Sequence, residues 1–336
     1  MNKEPIMEIS VIGAGSWGTV LSRILADNGH SVTLWARSRE KAEAMQASRR
    51  NGDYLPDMVL PASITVTNDL ALAAKRASVL VFVVPSKGMK HVAQALRNYT
   101  DARDRILLSC TKGFEMATHA LMTDVLAGVF PEAKAIAALS GPNLARELAL
   151  RQPAATVIAC KVPEAALLLQ QVFINWYFRP YTSTDVIGVQ LGGCVKNCYA
   201  LVSGMMAGIG MGENCEAGLI TRGLAEITRL GLAMGAQRET FSGLACIGDL
   251  IATCGSPLSR NRTAGVALAS GKNAAEICGS TKMVIEGIDV ARVVHSLALQ
   301  YHVEMPILEE LYRVLYEGKR IQDALQDAMT RKGTKE

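Results

Sequence analysis

The stretch Glu8-Ile9-Ser10-Val11-Ile12-Gly13-Ala14-Gly15-Ser16-Trp17-Gly18 decides the fold. A short β-rich run meets a Gly-x-Gly-x-x-Gly signature, and a helical pattern over Gly18–Asn28 follows directly. In that setting each glycine has its own duty. Gly13 makes the tight turn, Gly15 lets backbone approach a pyrophosphate, and Gly18 packs helix on strand. The helix start adds amide donors and the positive end of its dipole, which favour a bound anion. The segment therefore reads as a dinucleotide-binding loop.

Working outward, the runs Ser31–Trp35, Ile64–Thr67, Val79–Val84, Arg105–Cys110, Ala135–Leu139 and Ala155–Ala159 read as further strands. Helical patterns fall between them at Glu40–Ser48, Gly88–Leu96 and Ala120–Val129. Several strands are continuous Val/Ile/Leu runs, as parallel strands buried on both faces require. The βαβ rhythm predicts an α/β, Rossmann-like doubly wound domain over residues 1–185. After about Thr184 the rhythm stops. Gly188–Gly210, Glu216–Met234, Arg262–Ala269, Val284–Leu299 and Ile307–Tyr316 then read as helices, which predicts an all-α domain over residues 186–336. The polar tail Thr330–Glu336 is expected to fray.

Composition bounds what such a chain does. Its 336 residues suit two domains. Apolar residues at 49% and charged residues at 20% fit a folded globular chain and exclude a disordered one. Aromatics at 5% argue against a stacking platform for single-stranded nucleic acid. A net charge of +4, spread along the chain, suits a small anionic substrate better than a nucleic-acid backbone. The first residues show no secretory pattern. The longest uncharged stretch, Cys198–Gly212, carries four glycines and is shorter than a membrane span needs. The expectation is a cytoplasmic protein without stable membrane insertion. The eight cysteines include no Cys-x-x-Cys and no zinc-like spacing with histidine, so no metal site is expected and most thiols read as small core residues.

The chemistry concentrates at the strand ends, where open parallel sheets bind ligands. The second strand, where an acid would bind the ribose of NAD, leads instead to Arg37 and Arg39. A cation there favours the 2′-phosphate of NADP(H) while leaving NAD(H) possible. Thr111-Lys112-Gly113 and Ser140-Gly141-Pro142-Asn143 follow later strands. In the helical half, Lys196 stands alone in the small, apolar run Gly193-Cys194-Val195-Lys196-Asn197-Cys198. A lysine there must pair, reach an edge, or give up its proton more readily, and the last is what a proton donor to a developing alkoxide needs. Ser259 is placed to cap a following helix, leaving Arg260 and Asn261 at its start as a phosphate site.

These motifs, with Val189-Gln190-Leu191-Gly192-Gly193, Leu219-Ile220-Thr221-Arg222-Gly223-Leu224-Ala225-Glu226, Gly248-Asp249-Leu250 and Val284-Ile285-Glu286-Gly287, occur in the order found in bacterial NAD(P)-dependent glycerol-3-phosphate dehydrogenases. The chain resembles that family from Ser10 to about Leu325. The resemblance implies reversible reduction of dihydroxyacetone phosphate to sn-glycerol 3-phosphate, feeding glycerophospholipid synthesis, by a homodimer. It implies Lys196 as proton donor and acceptor, oriented by Asp249 and assisted by the second cation Lys112. Lys112, Gly141, Asn143, Lys196, Asn197, Asp249, Thr253, Ser259, Arg260 and Asn261 correspond to substrate contacts. Ser16, Trp17, Arg37, Lys112, Ala145, Arg260, Val284 and Glu286 correspond to cofactor contacts, beside the loop glycines.

Several positions depart from the family pattern. Asn143 stands where Ser or Thr is usual, and Cys246 where Gly is usual, so a side chain at 246 is expected to strain any left-handed backbone there. Ala207, Glu216 and the pair Thr263-Ala264 are also atypical. Two other readings compete. A β-hydroxyacid-type dehydrogenase joins the same two domain types and uses a lysine but needs no anion site at Ser259-Arg260-Asn261. A dinucleotide-binding sensor without catalysis would tolerate Cys246 and Asn143.

Overall fold

The computed structural model describes residues 6–280 and 284–332. The chain divides into two compact units, Met1–Gln190 and Leu191–Glu336. Of the tail Thr330–Glu336, residues 333–336 lie outside the described part.

The first unit carries the strands β1 (Glu8–Ile12), β2 (Ser31–Trp35), β3 (Arg50–Asn51), β4 (Leu55–Val59), β5 (Ile64–Thr67), β6 (Val79–Phe82), β7 (Ile106–Ser109), β8 (Ala135–Ser140), β9 (Ala154–Cys160) and β10 (Phe178–Ser183). Between them run α1 (Ser16–Asp27), α2 (Arg39–Ser48), α3 (Leu70–Lys75), α4 (Ser86–Arg97), α5 (Met122–Val129), α6 (Ala145–Ala149) and α7 (Pro163–Phe173). The main sheet has the order β10-β9-β8-β7-β6-β1-β2-β5, with β3 and β4 as a separate hairpin. Every pairing in the main sheet is parallel except β8 with β9. The order reverses at β1, so its carboxyl end opens onto the crevice where such sheets bind ligands.

Alternation along a strand gives each face its own core. Val79 and Val81 of β6 join Ile9, Val11 and Ile106 on one face. Leu80 and Phe82 join Ile12, Met89 and Leu107 on the other. Each such fully buried side chain contributes roughly 1.5–3 kcal/mol, and truncating Phe82 would cost about 3–5 kcal/mol with the cavity included.

The second unit is helical: α8 (Val186–Gly208), α9 (Glu213–Ala233), α10 (Arg238–Phe241), a π-helical turn at Leu244–Gly248, α11 (Asp249–Gly255), α12 (Arg260–Ala269), α13 (Ala274–Gly279), α14 (Glu286–Gln300), α15 (Pro306–Tyr316) and α16 (Ile321–Thr330). The first turn of α8 belongs to the preceding unit, because Gln190 exchanges hydrogen bonds with the backbone and hydroxyl of Thr123 on α5. The compact division therefore falls a few residues beyond the sequence boundary at 185/186. Among the described residues no single helix is long and apolar enough to cross a membrane. Cys110, Cys160, Cys194, Cys198, Cys246 and Cys254 are buried, Cys215 is half-buried and Cys278 is exposed.

The elements that pattern-reading misses have local causes. β10 contains Arg179 and Pro180, which an edge strand tolerates because one side of its backbone needs no partner. α7 starts on Pro163, a first-turn residue rather than a breaker. Gly243 and Gly248 interrupt the periodicity across the π-helical turn and hide α11.

Candidate active site

The glycine loop of the first unit is built by close backbone approach. Gly13 has φ +125°, and a Cβ on it would lie 2.5 Å from the Val83 carbonyl oxygen. A Cβ on Gly18 would lie 1.9 Å from the Gly13 carbonyl oxygen, so the helix start must be bare to sit on the turn. Gly15 differs: nothing stands within 4 Å of its Cβ position, which leaves an open face. α1 has no side-chain cap and no acid in its first turn, so its leading amides suit an anion from outside the chain. That arrangement fits a dinucleotide pyrophosphate. Asn51 on β3 is a support that sequence reading missed, because Asn51-Gly52 looks like an ordinary turn. It is 1% exposed, and its Nδ2 donates to the Ala14 carbonyl at 3.1 Å and to Thr19 Oγ1 at 2.8 Å.

At the end of β2, Arg39 is engaged by Glu43 at 2.7 Å. Arg37 is exposed, and among the described residues no ion pair holds it. Trp17 packs edge-on against Phe178, with centroids 6.4 Å apart, and Ala145 opens α6.

Three strand ends are tied together around Lys112. Thr111 Oγ1 donates to the Val84 carbonyl at 2.6 Å, and Lys112 Nζ donates to the Gly141 carbonyl at 3.0 Å. A Cβ on Gly141 would lie 2.8 Å from the Thr156 Cα, so only glycine lets β8 and β9 close here. Asn143 Nδ2 donates to the Ala155 carbonyl at 3.2 Å, while its buried Oδ1 has no partner among the described residues. Ser140 Oγ is likewise buried and unpartnered. Orphaned polar atoms of this kind mark a place where an external group completes the set.

In the second unit, Lys196 meets the burial problem by pairing. It is 4% exposed, and its Nζ lies 3.1 Å from Asp249 Oδ1 and donates to Thr253 Oγ1 at 2.5 Å. Thr253 in turn donates its hydroxyl proton to the Asp249 carbonyl oxygen at 2.6 Å, one helical turn back. Two of the three ammonium protons are thus directed by fixed acceptors. Breaking such a buried pair costs about 3–5 kcal/mol, because the remaining charge is left alone.

Ser259 caps α12 as its sequence position suggests, accepting from the Arg262 amide at 3.2 Å. Arg260 is exposed and donates to the Val284 carbonyl at 2.8 Å. The Asn261 side chain, expected to face a phosphate, is engaged instead by Asn197 and by the Gly287 amide. Val284 and Glu286 flank the start of α14.

Cys246 corrects the expected strain. It lies in the π-helical turn, is fully buried, and is absent from the positive-φ residues. Its Cβ instead fits against Gly192, whose own Cβ would stand 2.7 Å away. The motif ending at Glu226 is scaffolding. Glu226 accepts from Tyr199 Oη at 2.9 Å and from the Ile307 and Leu308 amides at 2.8 and 3.2 Å, capping α15. Burial holds its carboxyl above the ordinary range. Glu216, another atypical position, accepts from Ser203 Oγ at 3.2 Å.

Comparison with known proteins agrees along the chain. Residues 8–166 match the model described as NAD-dependent glycerol-3-phosphate dehydrogenase N-terminus, and residues 185–326 match the corresponding C-terminus model. Glycerol-3-phosphate dehydrogenase [NAD(P)+] of Geobacter sp. (strain M21) is 43% identical over 96% of this chain and 97% of its own. The enzyme of that name from Streptomyces griseus subsp. griseus is 46% identical over 97% of each chain. The crystal structure of glycerol-3-phosphate dehydrogenase from Coxiella burnetii superposes with a TM-score of 0.92 at 35% identity, covering 97% of this chain and 99% of that one. The chain belongs to the NAD-dependent glycerol-3-phosphate dehydrogenase family.

Proposed function

We propose that this chain reduces dihydroxyacetone phosphate to sn-glycerol 3-phosphate with NAD(P)H and runs the reverse oxidation. The bound nicotinamide supplies the hydride to the ketone carbon. Lys196 delivers a proton to the ketone oxygen as negative charge develops there, and recovers it in oxidation. Asp249 and Thr253 fix the direction of the ammonium, and Asp249 balances its charge. Lys112 adds a second cation near the developing oxyanion. Ser259 and Arg260, with the first-turn amides of α12, hold the phosphate, and Gly141, Asn143 and Asn197 complete the substrate contacts.

The glycine loop with Ser16 and Trp17 takes the pyrophosphate. Ala145, Val284 and Glu286 add cofactor contacts, as do Lys112 and Arg260. Arg37, which no ion pair holds among the described residues, supports a preference for NADP(H) over NAD(H). The family resemblance further supports a cytoplasmic homodimer supplying glycerophospholipid synthesis. The observation that carries the reading is Lys196, buried in an apolar helix and aimed by Asp249 and Thr253. The test is oxidation of NADPH and NADH with dihydroxyacetone phosphate, unphosphorylated dihydroxyacetone and a β-ketoacid. Fast turnover confined to the phosphorylated ketone is expected. Preference for the ketoacid would support a β-hydroxyacid dehydrogenase, and no turnover of any ketone a sensor.

A further inference from the structure

Asn51 stands outside the glycine loop in sequence yet holds it from behind. The residue is 1% exposed, and its Nδ2 donates to the Ala14 carbonyl oxygen at 3.1 Å and to Thr19 Oγ1 at 2.8 Å. Thr19 Oγ1 donates in turn to the Gly15 carbonyl oxygen at 2.6 Å. A hydroxyl carries one proton, and that of Thr19 is committed to Gly15, so towards Asn51 it only accepts. The Ala14 carbonyl likewise only accepts. Nδ2 therefore has to face both groups, and the buried Oδ1 is left without a partner among the described residues.

The consequence lies on the other side of the peptide planes. In a trans peptide the N–H points opposite to the carbonyl of the same planar unit. The Ala14 carbonyl shares its plane with the Gly15 amide, and the Gly15 carbonyl with the Ser16 amide. Asn51 tethers the first carbonyl directly. Thr19 tethers the second, through its hydroxyl and through its own amide at 3.0 Å. With both carbonyls drawn into the fold, the Gly15 and Ser16 N–H groups turn outward at the uncapped start of α1, beside the open face of Gly15.

The backbone of Asn51 is itself fixed. β3 pairs antiparallel with β4, with Asn51 opposite Leu55. Leu55 and Met58 are buried in the same core as Val20, Leu21 and Ile24 of α1. Arg49 takes φ +56°, and its guanidinium donates to the Pro61 and Ile64 carbonyls, while the Leu60 amide donates to the Arg49 carbonyl at 2.8 Å. Arg23 of α1 donates to the Val59 carbonyl at 3.1 Å. The hairpin is thus closed at its base and stitched to the helix whose start it serves.

We propose that Asn51 is a positioning residue for the dinucleotide: by holding the Ala14 carbonyl, with Thr19 as its second anchor, it aims the Gly15 and Ser16 amides at the pyrophosphate. This rests on the functional reading above and deepens its cofactor site. Amides fixed in advance bind phosphate without an ordering cost at the moment of binding. Both nicotinamide dinucleotides carry the same pyrophosphate, so the device serves NADPH and NADH alike.

The test is direct fluorescence titration of NADPH and NADH on the full-length chain, which needs no turnover. Asn51→Ala should raise both dissociation constants by about 10-fold or more, the span of a lost charge-assisted bond to phosphate, and by the same factor for each. In steady state the loss should appear in the cofactor KM. Wild-type constants, a loss confined to kcat, or a loss selective for NADPH would each overturn the proposal. Thr19→Val removes the second anchor and should weaken both dinucleotides, while Thr19→Ser keeps the hydroxyl and should bind both more tightly than Thr19→Val does. Equal affinity in those two variants would also overturn it, and that pair carries the test if Asn51→Ala does not fold. A wild-type chain that binds neither dinucleotide would refute the cofactor reading itself, whereas unchanged constants in the variants of a chain that binds both would overturn the proposal alone.

Discussion

The chain's two candidate lysines solve opposite problems. Lys112 stands half-buried at a strand end, where its ammonium donates to a main-chain carbonyl. Lys196 lies inside a helix and is aimed by two side chains. The contrast extends to their surroundings. The first unit makes its site from backbone: bare glycines, strand ends and the unpaired start of α1. The second makes its site from side chains that satisfy one another. A backbone site is broken by adding atoms, and a side-chain site by removing them.

The largest expected effect comes from subtraction in the second unit. Lys196→Met should cut turnover by at least ~10²-fold, the lower range for losing a general acid. Steady-state assay checks it, and a direct NADPH titration should show cofactor affinity preserved. Near-normal turnover would remove Lys196 from the mechanism and erase the contrast.

Next is Arg260→Ala, which on the proposed assignment loses a charge-assisted bond to phosphate of roughly 1.5–3 kcal/mol, or about 10- to 150-fold in efficiency. Dihydroxyacetone phosphate should suffer by that order and unphosphorylated dihydroxyacetone much less. Equal losses would assign Arg260 to the cofactor or to the grip on Val284.

Addition in the first unit sharpens the comparison. Gly13→Ala should destabilise the fold by about 1–3 kcal/mol, since it combines a left-handed φ with a clash on the Val83 carbonyl. Gly15→Ala should leave thermal stability unchanged and weaken cofactor binding, because the added methyl enters only the open face. Differential scanning calorimetry with cofactor titration separates the two. A stability loss in Gly15→Ala would mean the loop is scaffold rather than binding surface.

The smallest effect is expected at Arg37. Arg37→Ala should raise the dissociation constant of NADPH more than that of NADH, since only NADPH carries the 2′-phosphate. Equal changes for both would return Arg37 to a solvated loop residue.

The same contrast explains what the sequence reveals. The dinucleotide loop is legible because backbone geometry forbids side chains at fixed spacings. Gly13 and Gly18 are bare for steric reasons that any reader of the strand–turn–helix context can reconstruct. Lys196 is conspicuous because a charge in an apolar helix must be answered. Its partners are not derivable that way. Asp249 lies on α11 beyond a π-helical turn, and no periodicity links it to α8. Family resemblance, rather than spacing, brought Asp249 and Thr253 forward. Asn51 and Asn261 escaped for another reason: an asparagine reads locally as a turn or helix-start residue, and only tertiary structure shows what its side-chain amide holds. Cys246 shows the converse. Its danger was inferred from the absent glycine, while the compensating glycine at 192 is distant in sequence.

Burial of the thiols around the helical site has a consequence for how the protein ages. Lack of solvation pushes the Cys246 and Cys254 thiols up to about 12. They remain protonated at neutral pH, and the nucleophilic thiolate that attacks peroxides and alkylating agents is scarce. Cys278 is exposed and Cys215 is half-buried, so covalent damage is expected to begin there. The protein can thus collect oxidation at its surface while its buried thiols stay chemically intact, and Cys278 offers an accessible point for attaching a reporter.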